Sequence, residues 1–155
     1  MRLVKNSMSR SYISRGLLLV FLLCSSAAWA SEFSVDSASH ATLASVRSSG
    51  AVESASHATL GYLANSGAVE NASHATLGYI RNASIENASH SIVGYFQTSG
   101  ATLVVENASH AILGYIDAQG DIENASHSIV GYARGSTAVD RINVVATLIF
   151  FLHVW

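Results

Sequence analysis

The sequence predicts an all-β repeat protein, and three observations carry that prediction. One unit recurs six times, with copies starting at Val35, Val52, Val69, Ile85, Val105 and Ile122. Its length changes only at polar or glycine-bearing turns such as residues 65–67, 82–84, 98–100 and 119–120, while the stretch from the acid to the tyrosine keeps its length. Variable loops between constant segments mark a packed repeat. No apolar stripe at i, i+3, i+4 and i+7 survives between those turns, so strands are expected rather than helices.

The N-terminal residues stand apart from the repeats. Arg2, Lys5, Arg10 and Arg15 precede the apolar residues 17–23, and Ala28-Trp29-Ala30 supplies an A-x-A cleavage signal. Residues 1–30 therefore read as a secretory signal peptide, too short in its apolar run to span a bilayer. Cleavage would remove Cys24, the one cysteine, and with it disulfides, thiolate catalysis and cysteine-bound metal. It would also leave four arginines against ten acids, 4 − 10 = −6 with histidine neutral. That acidity argues against a nucleic-acid partner, since phosphate is met by Lys and Arg. It argues equally against a polybasic membrane-surface segment.

Residues 31–134 form the expected repeat domain. The starts lie 17, 17, 16, 20 and 17 residues apart, and each unit reads Val/Ile, acid, Ser/Asn, Ala, Ser, His, Ala/Ser, Thr/Ile, Leu/Val, Gly, Tyr. In the second copy Val52 and Glu53 open a short strand, residues 54–57 turn, and residues 58–63 form a second strand with β-favouring Thr59 and Tyr62. Each copy is then a hairpin. Strict alternation would point Leu60 and Leu63 to opposite faces, so the strand is either buried on both sides or bulged, with Gly61 the natural place for a bulge or a close backbone approach. The first copy carries Ala44-Ser45 where the others carry Gly-Tyr, as a terminal repeat often departs from its consensus.

In this pattern a glycine precedes a Val/Ile-acid pair, a short turn follows, and the next strand ends in an aliphatic residue and Gly-Tyr. Residues 67–80 and 120–132 show it, and there the chain resembles the five-fold β-flower proteins. These are small, often exported bacterial proteins. The resemblance implies short hairpins set around a pseudo-symmetry axis, as a β-flower or a short solenoid. It implies no activity. Asp140-Arg141 followed by the apolar residues 146–151 is similar to the way such proteins finish. Two departures stand out: histidine occupies a position where glycine is common, and six copies exceed five petals.

Several residue sets invite chemistry. His40, His57, His74, His90, His110 and His127 are the candidate metal ligands, yet a zinc site needs three or four ligands converging at about 2 Å and one histidine per repeat does not imply convergence. A turn with positive φ, where histidine is enriched among non-glycine residues, explains them more simply. Ser56-His57 with Glu53 suggests a Ser-His-acid set, but neighbours on a strand face opposite ways. A reaction also needs one preorganised pocket, whereas repetition serves packing. The acids Asp36, Glu53, Glu70, Glu86, Glu106 and Glu123 supply one carboxylate per repeat, thin for calcium, and read as solvated strand positions. The register of Asn71, Asn87, Asn107 and Asn124 would permit self-association through strand edges.

Residues 135–155 are expected to be a linker and an apolar segment packing into the same domain. Residues 144–155 are almost wholly apolar, too few to span a membrane and enough for a buried strand or a helix plugging the repeat axis. A second reading takes them as a removable GPI signal after small residues Gly135, Ser136 and Thr137. The expectation is an exported structural or interaction module of the cell envelope or extracellular space. It is not an enzyme, uses no cofactor, and has a protein or envelope partner. The alternatives are weak metal binding through the histidines and a GPI-anchored surface protein.

Overall fold

The computed structural model describes residues 32–137 and 140–155, so the expected signal peptide lies outside the described residues. Twelve strands follow in chain order. They are β1 (Phe33–Ser37), β2 (Thr42–Val46), β3 (Ala51–Ser54), β4 (Thr59–Leu63), β5 (Ala68–Asn71), β6 (Thr76–Arg81), β7 (Ser84–Asn87), β8 (Ile92–Ser99), β9 (Thr102–Asn107), β10 (Ile112–Ile116), β11 (Asp121–Asn124) and β12 (Ile129–Arg134). Every strand pairs antiparallel with its chain neighbours, and β1 pairs with β12, so the sheet closes as a barrel with no free edge. Closure distinguishes this arrangement from a solenoid, which would leave end strands unpaired, and removes the edges on which strand-to-strand aggregation depends.

Two kinds of turn connect the strands. At one end of the barrel each turn opens on Ser or Asn and closes on His: His40 N donates to Ser37 O, and Ser37 N donates to Ala41 O. The same pattern recurs from residue 54, 71, 87, 107 and 124. This is a turn followed by one left-handed residue, the usual three-residue hairpin loop. At the other end the same loop takes glycine instead, as at Gly67, where an added Cβ would lie 2.3 Å from the Ile80 carbonyl oxygen. Between β6 and β7 the pair Asn82-Ala83, both with positive φ, makes the two-residue hairpin turn.

Each second strand carries one residue more than its partner. Val52 opposes Gly61 and Glu53 opposes Thr59, which leaves Leu60 as the extra residue of a bulge. Leu43, Leu77, Val93, Leu113 and Val130 occupy the same place in the other copies. The bulge reconciles the two apolar residues that strict alternation would separate: Leu60 packs on the core cluster, and so does buried Leu63.

The interior is lined by Val35, Val52, Val69, Ile85, Val105 and Ile122 from the first strands, all at most 2% exposed. Val46, Leu63, Ile80, Phe96, Ile116 and Ala133 from the second strands join the same cluster. The C-terminal residues belong to it as well. Helix α1 (Arg141–Thr147) runs into a π-helical turn (Leu148–Leu152), and Val144, Val145, Ala146 and Leu148 are buried among the strand residues. The Phe151, Phe150 and Trp155 rings come against Gly61, Gly78 and Gly114 on the barrel wall. The helix is tied down at its start: Asp140 Oδ2 accepts from Thr137 N at 2.8 Å, and the Arg141 guanidinium donates to the Ala101 carbonyl. The apolar segment is thus helical rather than extended.

Candidate functional site

The repeat histidines all sit at the same barrel end, in the left-handed turn position, with φ between 60° and 64°. Glycine would occupy that position without strain; the histidines offset the backbone penalty by what their rings touch. His74 lies 4.3 Å, ring centre to ring centre, from Tyr62 of the preceding copy, nearly parallel at 12°. Its Nδ1 is 3.0 Å from Glu70 Oε2. The strand register explains the meeting, since Tyr62 stands directly opposite Glu70 and His74 follows that acid by four residues across the turn. The turn itself is held by Asn71, whose Oδ1 accepts from Ser73 N at 2.9 Å and Ala75 N at 3.0 Å.

The unit is then repeated around the outer wall. Tyr79 with His90, Tyr95 with His110 and Tyr115 with His127 stack at 4.3 to 4.4 Å. Glu86, Glu106 and Glu123 bond the corresponding Nδ1 atoms at 3.0, 2.9 and 2.7 Å. Tyr132 closes the belt by stacking on His40 at 4.5 Å, across the β1–β12 junction. There the acid is the shorter Asp36, and Arg134 substitutes for its reach, with one guanidinium nitrogen 3.1 Å from His40 Nδ1 and another 3.7 Å from Asp36. Two of the tyrosines also carry an arginine, Arg81 at 4.2 Å from the Tyr79 ring and Arg134 at 4.7 Å from that of Tyr132.

One position breaks the pattern. His57 should stack on the residue opposite Glu53, and that residue is Ser45. With no ring there, Arg47 reaches Glu53 instead, with Nη2 at 2.8 Å and Nε at 3.1 Å from Oε2, and His57 Nδ1 stands off at 3.7 Å. The arginine's hydrogen bond holds the Glu53 carboxyl below its usual range, against the opposing pull of desolvation. The same bond raises the Arg47 guanidinium above its ordinary value.

The geometry bears on each candidate set. Among the described residues, no three His, Cys, Asp or Glu side chains come together as a metal-ion group. Ser56 Oγ shares a hydrogen bond of 3.0 Å with Ser54 Oγ. The acids are not merely solvated strand positions, because four of them grip histidines. That pairing was written in the sequence as an acid and a histidine always four residues apart. The tyrosine partner was signalled by its recurrence in every copy but the first.

A closed antiparallel barrel built from one repeated strand-turn-strand unit defines the class of protein. Residues 32–153 match the family described as 5-fold beta-flower protein, and the chain belongs to that family. No curated protein and no solved structure matches it.

Proposed function

We propose that this chain is an exported, non-catalytic structural or interaction module, built as six hairpin petals closed around their own C-terminal segment as a plug. One observation supports the reading most directly: residues 144–148 are all nine-tenths or more buried, and four of them belong to the same core cluster as the strand residues. A barrel filled by itself is a rigid support, and what it presents is its outer wall. That wall carries Tyr, His and Glu, and although Leu43, Ile92, Val93, Ile112 and Ile129 are exposed, the core cluster lies inside, unlike a membrane barrel with its apolar outer band. Its strands, four to eight residues long, also fall short of the roughly 9 to 11 such a barrel needs.

The plug reading speaks against a removable GPI signal, because cutting near Ser136 would take Val144, Val145, Ala146 and Leu148 out of the core cluster. Intact mass of the protein recovered from its own source tests both ends together. The expected mass is that of residues 31–155 with no addition. A chain that keeps residues 1–30 would refute export by a cleaved signal, and one ending near Ser136 with added glycan or lipid would refute the plug.

A further inference from the structure

We propose that the place left empty by Ser45 is a binding site for a planar aromatic ring about the size of phenol, stacked on His57. The barrel itself shows what fits there. Tyrosines 62, 79, 95, 115 and 132 occupy the equivalent position, and each stacks on a histidine at 4.3 to 4.5 Å. At the sixth position the register is unchanged, with Ser45 opposite Glu53 and His57 four residues beyond, but the side chain is two heavy atoms long. His57 is accordingly 75% exposed, against 56% to 66% for the four histidines that have both a tyrosine and a glutamate.

The surroundings form a receptacle rather than a bare surface. Ser34 pairs with Ser45 across β1 and β2, and Arg134 pairs with Ser34, so two small residues make a floor between Arg134 and the Arg47–Glu53 pair. A depression over that floor is lined by Ser34, Ser45, Arg47 and Arg134 together with Glu32, Phe33 and Val46; His57 is not part of that lining. Arg47 stands two residues beyond Ser45, where Arg81 and Arg134 stand relative to Tyr79 and Tyr132. Those two guanidiniums lie against their tyrosine rings. Arg47 is therefore placed to lie against an incoming ring in the same way, by cation–π attraction. The site stands on stack geometry alone and goes beyond the structural role proposed above.

The test follows the Cε1–H resonances of the histidines in the full chain while p-cresol, and separately acetyl-Gly-Tyr-Gly-amide, is added. His57 should shift upfield saturably with either probe or with the peptide only, and His74, already stacked, by less than a fifth as much. Saturation by p-cresol assigns a free aromatic molecule as sufficient; saturation by the peptide alone assigns a side chain delivered by a polypeptide. In Ser45→Tyr the His57 resonance should begin where that of His74 lies, and probe affinity should fall at least tenfold. His57→Gly, which keeps the left-handed turn, should abolish the shift otherwise seen at Ser45 neighbours. Equal shifts at His57 and His74, no saturable shift with either probe, or undiminished binding to Ser45→Tyr would each overturn the proposal.

Discussion

If the C-terminal segment fills the barrel, its rings and the wall glycines beneath them must be energetically coupled. Gly78 is the sharpest place to look. An added Cβ there would lie 2.6 Å from two atoms of the Phe150 ring and 2.2 Å from the Glu86 carbonyl oxygen. The ring can be moved or removed, whereas the carbonyl belongs to the neighbouring strand. Gly78→Ala alone should cost about 1–3 kcal/mol, the range for an overpacked core position. Phe150→Ala alone should cost about 2 kcal/mol, below the 3–5 of a fully buried phenylalanine because this ring is only half-buried. In the double variant the methyl gains the space the ring gave up, so the combined loss should fall short of the sum by at least about 0.5 kcal/mol. Urea unfolding of the four proteins, followed by circular dichroism, reads the cycle. Gly94→Ala with Phe150→Ala is the control, because the nearest side-chain atom to a Cβ at Gly94 is Ile85 Cδ1 at 3.3 Å rather than a ring atom. Losses that add at Gly78 as they do at Gly94 would refute the packing argument, and an unchanged Phe150→Ala midpoint would refute the plug outright.

Two other outcomes follow from the belt. Glu53 has its folded-state pKa lowered by Arg47, so its contribution is complete above the ordinary carboxylate value and is lost as pH falls through the lowered one. The melting-temperature gap between the native chain and Arg47→Met should therefore be present at neutral pH and close in acid; a gap constant across that window would show that the pair contributes nothing through charge. His74 has φ of 61°, so His74→Ala keeps the backbone strain while losing the ring, and His74→Gly loses the ring but relieves the strain. The glycine variant should be the more stable of the two by about 1 kcal/mol in thermal unfolding, and equal melting would remove the left-handed turn from the explanation.

Much of this architecture was legible because hairpin chemistry is local. The turn residues, the β-favouring Thr and Tyr, and the recurrence itself gave strands and their order without reference to the rest of the chain. Positive φ at the histidines was legible for the same reason, since a residue type standing where glycine is common announces the backbone it must adopt. What stayed hidden was sideways. Whether a ring of hairpins closes depends on β1 meeting β12, residues about a hundred apart, and no local pattern records that meeting. The stack of His74 on Tyr62 was hidden likewise, because its two halves belong to different copies and only the register between β4 and β5 brings them together. The acid–histidine pair is visible as a constant spacing, yet nothing within one copy shows that the turn folds the imidazole back on its own strand.

The departures of the first copy belong to one physical account. If the helix plugs the ring as proposed, it cannot touch every repeat alike, so the tail would break whatever symmetry the strands possess. Its aromatic rings fall on Gly61, Gly78 and Gly114; Gly94 and Gly131 instead have Ile85 and Ile122 as their nearest side chains. Glycine is needed most where a ring arrives, and the first copy accepts Ala44, fully buried, in the corresponding place. Its methyl belongs to the core cluster. On the outer wall, one residue later, the same copy gives up tyrosine for Ser45, and the neighbouring Arg47 turns from a ring to a carboxylate. The first of these changes is compensated inside the core by packing. The second is met by a partly buried ion pair between Arg47 and Glu53, whose worth is what the Arg47→Met comparison reads.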